Sequence, residues 1–225
     1  MIDLHCHILP QLDDGPGSTE EAVKIAQMEA EEGVGMIAAT PHFSVIGQDM
    51  NQFSRLRKKA IGRLSAAVAC ITPPVKMIEG AEVALCTQLL DIPDPSFLCY
   101  QGTRYMLVEF PPEPDVRLIS YMIYQLRLRE IIPVIAHIER YGHFIRHPNE
   151  INGLIEAGSV IQINASGLLS HGRGMKNNLM RLIDHNMVHL IATDAHSLQN
   201  RPPLLRMAMS EVSARLGNDS VELLN

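Results

Sequence analysis

Residues 1–42 read MIDLHCHILPQLDDGPGSTEEAVKIAQMEAEEGVGMIAATPH, one complete strand–loop–helix–strand passage. The opening apolar residues form a short strand, on which side chains alternate. His5 and His7 then share one face, and Cys6 points into the packing. After the loop, Ser18 with Glu21 three residues on forms a capping-box pattern, and Ala22, Val23, Ile25, Ala26 and Ala30 recur at helical spacing. Gly33 and Gly35 end that helix, and MIAATPHF is the next strand, finishing at Thr40-Pro41-His42.

The same alternation runs through the rest of the chain. FSRLRKKAIGRLSAAVA (53–69) is a helix before the strand VKMIEGAEV (75–83). RYMLVEF (104–110) is a strand ending near Glu109, and VRLISYMIYQLRLRE (116–130) is a helix leading to IPVIAHIER (132–140). NEINGLIEAG (149–158) precedes SVIQINAS (159–166), and KNNLMRLIDHN (176–186) precedes VHLIATDAH (188–196). Strands alternating with helices imply parallel pairing with both strand faces buried.

An open doubly wound sheet and a closed barrel both satisfy that pattern. The polar residues separate them. His5, His7, His42, Glu82, Glu109, His137, Asp194 and His196 all fall at or just past the C-terminal ends of different strands, and in a barrel those ends converge on one mouth. The expected fold is therefore an α/β, irregular seven-stranded parallel (βα)7 barrel, TIM-like, with its site at the C-terminal mouth. No repeat or linker divides the chain, so residues 1–225 are expected to form a single domain.

Bulk properties narrow the function. Of the 225 residues 46% are hydrophobic, the formal charge is −6 and there are four cysteines. The negative balance argues against nucleic acid as a main partner. No run of about 18 apolar residues and no signal peptide is present, so no membrane insertion is expected. Cys6, Cys70, Cys86 and Cys99 are widely spaced and form no Cys-x-x-Cys pair, which fits reduced thiols in a cytoplasmic protein. The chain ends abruptly in SVELLN after a helix, as if a closing element were lacking.

Each chemical residue has an ordinary reading when taken singly. An isolated His-x-His can sit at a solvated strand end, Glu82 on the surface, and Asp194 at a helix N-cap. Together they offer about nine hard or borderline ligands: His5, His7, Asp14, His42, Glu82, Glu109, His137, Asp194 and His196. Such a set suits Mn, Fe or Zn with open positions, and does not suit a sulfur-rich structural zinc. Nine ligands exceed the needs of one ion, so two or three divalent ions sharing a carboxylate are expected. Asp13 competes with Asp14, and Glu79 is a weaker rival to Glu82. His143, His147, His171, His185 and His189 have no partner motif and are expected in surface or capping roles.

His5-x-His7, Asp13-Asp14-Gly15, Thr40-Pro41-His42, Gly80-Ala81-Glu82, Glu109-Phe110, His137-Ile138-Glu139-Arg140 and Asp194-Ala195-His196 with Arg201-Pro202-Pro203 resemble the motifs of the polymerase-and-histidinol-phosphatase (PHP) superfamily. They are most similar to its bacterial branch of manganese-dependent protein-tyrosine phosphatases, which act on the tyrosine kinases of capsule and exopolysaccharide synthesis. The resemblance spans residues 1 to about 203.

It implies a first metal on His5, His7, Glu82 and Asp194. Glu82 would bridge to a second metal held with Glu109 and His137, and a third would lie on Asp14, His42 and His196. Manganese is the implied metal, with Fe or Zn as alternatives. The implied reaction is attack of a metal-bridging hydroxide on phosphotyrosine, with Arg140 and Arg201 forking onto phosphate oxygens. The implied partner is a tyrosine-phosphorylated protein, the tail of a polysaccharide-synthesis kinase, fed as a flexible chain into a mouth without an evident deep apolar slot. Histidinol-phosphate phosphatase, another PHP phosphoesterase and a non-catalytic metal-binding regulator are the rival readings. Thiol chemistry is excluded, because no cysteine begins a Cys-x5-Arg motif.

Overall fold

The computed structural model describes residues 1–169 and 173–224; His171 lies outside them. Among the described residues nine short strands run in chain order: β1 (Ile2–Cys6), β2 (Met36–Ala39), β3 (His42–Phe43), β4 (Lys76–Glu79), β5 (Glu82–Ala84), β6 (Tyr105–Glu109), β7 (Ile132–Ile135), β8 (Val160–Asn164) and β9 (Leu190–Ala192). Every pairing is parallel. β1, β2 and β4 form one sheet, and β3, β5, β6, β7, β8 and β9 form the other.

Two stretches read as single strands in the sequence are interrupted. Pro41, which has no N–H to donate, separates β2 from β3. Gly80-Ala81 separates β4 from β5. Backbone bonds continue across both gaps, from Gly80 N to Ala39 O (3.0 Å) and from Glu82 N to Pro41 O (3.1 Å). At the far edge, Asp194 N donates to His5 O (2.7 Å) and His7 N to Ala195 O (2.9 Å), so the chain just past β9 is bonded to β1. The result is an α/β fold around a curled parallel sheet, with the strand ends bearing His5, His42, Glu82 and Glu109 on one side.

The helices start where local chemistry satisfies their free N–H groups. Ser18 Oγ caps α1 (Thr19–Glu31) by accepting from Glu21 N at 3.2 Å. Asp49 caps α2 (Met50–Val68), which therefore begins three residues before the expected start at Phe53. Asp115 caps α3 (Val116–Leu128), and the left-handed Glu130 (φ 58°) ends the helical path short of the expected boundary. The α4 (Gly142–Arg146), α5 (Pro148–Glu156), α6 (Ala165–Leu169), α7 (Arg173–Asp184), α8 (Leu205–Leu216) and α9 (Asn218–Leu223) helices follow. The β5–β6 connection carries only 3-10 turns, at Thr87–Asp91 and Pro95–Leu98. Ile25, Ile37, Leu64, Met106, Met122 and Phe144 fill the interior, all fully buried. No helix among the described residues is long and apolar enough to cross a membrane.

Candidate metal centre

All nine candidate ligands meet at one end of the sheet. Strand register accounts for part of this, since His42 on β3 is the direct partner of Glu82 on β5, and Ala84 is the partner of Glu109 on β6. Potential donor atoms of His5, His7, Glu82 and Asp194 lie within 4.8 Å of one another, as do those of His7, Asp14, His42 and His196. Glu109 joins Glu82 through His42, whose Nδ1 lies 3.4 Å from Glu109 Oε1 and 3.2 Å from Glu82 Oε2. His137 is placed on the other oxygen of Glu82, with Nε2 2.7 Å from Oε1. The expected trio of Glu82, Glu109 and His137 is therefore divided between the two oxygens of Glu82.

The loop over the site explains the adjacent aspartates. Asp13 Oδ2 accepts from His7 Nδ1 (2.7 Å) and from His42 N (3.0 Å), while its Oδ1 accepts from Gly15 N (3.0 Å). Its oxygens are thus committed to orienting neighbours. Asp14 instead faces His196 Nε2 at 3.2 Å and His42 Nε2 at 3.5 Å. Gly15 permits this fold, because a Cβ there would lie 2.1 Å from the His7 carbonyl oxygen. Glu79 pairs with Arg57 (3.3 Å) and is absent from the ligand clusters among the described residues.

Three histidines have one ring nitrogen tied back and the other directed at the cluster. His5 Nδ1 donates to Gln162 Oε1 (3.2 Å), His7 Nδ1 to Asp13 Oδ2, and His196 Nδ1 to the Asp194 carbonyl (2.9 Å). Such ties fix the tautomer that leaves Nε2 with its lone pair, the usual arrangement behind metal-binding histidines. The Nε2 atoms of His5 and His7 face each other at 3.1 Å.

Gln162, fully buried on β8, also accepts from His137 N (2.7 Å) and donates to Asn164 Oδ1 (2.7 Å). Asn164 in turn donates to Asp194 Oδ2 (2.7 Å). Neither residue was singled out from the sequence. The signal was present as two polar residues at i and i+2 within the apolar run VIQIN.

Backbone strain marks the same place. His137 (φ 32°) and Asp194 (φ 53°) both occupy the left-handed region that non-glycine residues enter at a cost of order 1–3 kcal/mol. The Asp194 turn is held by Asp3, whose Oδ1 accepts from Thr193 N (3.0 Å) and Oδ2 from Thr193 Oγ1 (2.5 Å).

Electrostatics follow from packing carboxylates among histidines. Burial opposes charge on His5, but Glu82 and Asp194 raise its pKa to about 9, so a cation bound at Nε2 has to displace a proton held there by the same carboxylates. His42 is also raised to about 9, burial again being outweighed, here by Glu109 and Glu82. Glu82 stays well below the usual carboxylate range despite its burial, because His5, His137 and His7 surround it. Burial, His7 and Arg201 lower His196 to about 4, leaving a neutral imidazole.

Arg140 and Arg201, expected on a phosphate, both place Nη2 on Oδ2 of Asp194. Arg201 Nη1 lies 3.9 Å from Asp14 Oδ2. Beside them opens a cleft of about 530 Å³. Glu109, His137 and Arg140 border it, and Leu85, Phe110, Pro111, Pro112 and Tyr141 form its apolar wall. The sequence had offered no such slot.

The donor set fits divalent ions. Glu82 Oε2, Asp194 Oδ1 and His196 Nε2 are buried and make no hydrogen bond of good geometry, although His7 Nε2, His5 Nε2 and Asp14 Oδ1 stand 3.0, 3.4 and 3.2 Å from them. Leaving such atoms unpaired costs about 1–3 kcal/mol each, and a cation removes that cost for carboxylate oxygens and neutral imidazole nitrogens together. Cys6, fully buried with its thiol raised well above the ordinary value by burial and by Asp3 and Glu29, offers no reactive thiolate.

Comparison with known proteins agrees with this picture. The chain is 32% identical over 203 residues to the tyrosine-protein phosphatase YwqE of Bacillus subtilis, covering 89% of this chain and 79% of that protein. It is 26% identical to the tyrosine-protein phosphatase CpsB of Streptococcus agalactiae, over 100% of this chain and 94% of that one. A crystal structure from work on YwqE and CpsB of Streptococcus pneumoniae, described as metal-dependent tyrosine phosphatases, superposes with a TM-score of 0.90 at 28% identity, covering 100% of this chain and 91% of its own. A phosphotriesterase homology protein from Escherichia coli shares the fold at 8% identity and a TM-score of 0.59. Residues 1–225 match throughout the family described as capsular polysaccharide synthesis, CpsB/CapC, and the chain belongs to that family.

Proposed function

We propose that this protein is a metal-dependent protein-tyrosine phosphatase acting on a tyrosine-phosphorylated protein of polysaccharide synthesis. The observation that carries the reading is the set of unpaired, buried carboxylate and imidazole atoms converging at one strand-end mouth. Membership of the CpsB/CapC family and similarity to named tyrosine-protein phosphatases support the substrate class.

We assign His5, His7, Glu82 and Asp194 to one divalent ion and Asp14, His42 and His196 to another. Glu109 and His137, together with Glu82, would hold a further ion. Mn is the preferred ion, with Fe or Zn as alternatives. Bound ions would supply Lewis acidity and a water acidified toward neutrality, so no side-chain nucleophile is needed. Gln162 and Asp13 hold the imidazoles of His5 and His7 in their ligating tautomer. Asn164, Arg140 and Arg201 hold Asp194, and the two guanidinium groups provide further donors for phosphate oxygens as charge moves toward the leaving group.

The interrupted strands β2/β3 and β4/β5 each count as one stave of a seven-stranded barrel, closed where Asp194 and Ala195 bond to β1. Residues 1–225 then make one domain. The free cysteines fit a reducing, cytoplasmic setting, where the disordered tyrosine-rich tail of a kinase is a chemically suitable substrate.

The deciding experiment compares initial rates on a phosphotyrosine peptide and on histidinol phosphate, after chelation and readdition of Mn, Fe, Zn or Mg. Phosphotyrosine turnover restored by metal supports the reading. A kcat/KM higher for histidinol phosphate than for every phosphotyrosine peptide moves the assignment to the rival phosphatase.

A further inference from the structure

The apolar wall beside the ligand cluster has no role in holding metal. Leu85 and Phe110 are nearly buried, whereas Pro111 and Pro112 stand exposed at the rim. The Tyr141 ring packs 5.2 Å from Phe110 and 5.9 Å from His137, centroid to centroid, so the wall begins directly beside a candidate ligand. Its position is fixed, because the Tyr141 hydroxyl accepts from Phe110 N (2.8 Å) and donates to Phe110 O (3.3 Å). That hydroxyl is the wall's sole side-chain polar group, and it is already engaged.

We propose that this cleft, walled by Leu85, Phe110, Pro111, Pro112 and Tyr141, seats the phenyl ring of phosphotyrosine and thereby sets the preference for tyrosine over serine. The inference rests on the phosphatase reading and adds the specificity site to it. The chemistry of the two ends dictates the orientation. A phosphate dianion belongs at the end bordered by His137 and Arg140, which places the ester's carbon portion along the apolar wall. A phenyl ring covers that wall and gains both area burial and contact with the Phe110 and Tyr141 rings. The single methylene of phosphoserine stops short of it. An imidazole would carry its polar nitrogens onto a surface without a free side-chain partner, which disfavours histidinol phosphate. The volume of about 530 Å³ falls within the roughly 300–1,000 Å³ of small-molecule clefts.

The test uses the metal-loaded enzyme and two peptides of one sequence, carrying phosphotyrosine or phosphoserine, with inorganic phosphate as a competitive probe. Leu85→Ala shortens the inner wall, and Pro111→Ser makes the exposed rim polar without touching the core. For each variant the ratio to wild type is taken separately on each peptide, which cancels the difference in leaving-group acidity. The expected result is a fall in kcat/KM of about tenfold on phosphotyrosine, the scale of losing apolar contact in a specificity pocket, with less than a twofold change on phosphoserine and unchanged inhibition by phosphate. Equal losses on both peptides, or no loss on phosphotyrosine in either variant, overturn the cleft assignment while leaving the phosphatase reading intact. A wild-type enzyme without phosphotyrosine turnover overturns the reading beneath it.

Discussion

His7 Nε2 lies 3.0 Å from Glu82 Oε2, and the same oxygen lies 3.2 Å from both His5 Nε2 and His42 Nδ1. With His137 on the other oxygen, one buried carboxylate touches four histidines. Removing it should therefore cost more than one ion. Glu82→Gln is expected to lower bound metal by at least two equivalents relative to the fully loaded wild type, whereas His196→Ala should lower it by about one. Elemental analysis after dialysis reads both. Full metal content in Glu82→Gln would show that another group bridges.

Gln162 acts on two of those histidines at once. It accepts from His5 Nδ1 and His137 N, so Gln162→Leu removes the tie that sets the His5 tautomer. Loss of such an outer partner typically costs 10–100-fold in metal affinity or activity. The expected signature is a weaker metal titration with activity recovering at high Mn concentration. Unchanged affinity would reduce Gln162 to a packing role.

The arginines should behave differently from the ligands. Arg201→Ala is expected to lower kcat/KM by about 10², close to 3 kcal/mol for a charged hydrogen bond that strengthens in the transition state, with metal content unchanged. Arg201→Lys should recover little, since a point charge lacks the planar fork. Because Arg140 and Arg201 share Asp194 Oδ2, the double alanine variant tests whether they also secure that ligand. Metal loss in the double variant and in neither single variant is the expected pattern.

The alternation of apolar strands and helices made the α/β parallel fold legible, and the strand-end positions of His5, His42, Glu82 and Asp194 made the site legible as a set. Other features depend on approach in space. Asp13 and Asp14 are equivalent in sequence, and only the fold of Gly15 over the His7 carbonyl gives one the task of orienting rings and turns the other toward His196. The split of β2 from β3 comes from Pro41, a single residue within the run MIAATPHF that otherwise reads as one strand. The cleft joins residues 85, 110–112 and 141 from three separate strand ends, so no single motif announces it.

Cys6 separates metal from thiol catalysis. It is fully buried, and its Sγ–H donates weakly to Ala195 O at 3.7 Å. Cys6→Ala is expected to keep activity within about threefold and to lower stability by roughly 1–2 kcal/mol, as for a small buried truncation. Chelation of the wild type should abolish turnover, and added Mn should restore it. Inactivation by Cys6→Ala with indifference to chelators would reverse the mechanism.

Glu29 supplies a pH signature behind the ligands, through the Asp3 carboxyl that holds the Asp194 turn. It reaches from α1 to Asp3 and is fully buried; as a carboxylate, both its oxygens lack a donor among the described residues. Once protonated it hydrogen-bonds the Asp3 carboxyl, and burial, then the charge of Asp3, raises its pKa well above the ordinary value. The sign follows from linkage. Above the unfolded-state value of 4.5 the folded chain retains a proton that the unfolded chain has lost, so stability falls as pH rises through that window toward the folded pKa. Glu29→Gln keeps a donor toward Asp3 and removes the titration. Relative to wild type, it should melt at a similar temperature near pH 4.5 and at a higher one at pH 8.5. A variant destabilised equally at both values would show that Glu29 is charged in the folded protein or that its contact with Asp3 carries no proton.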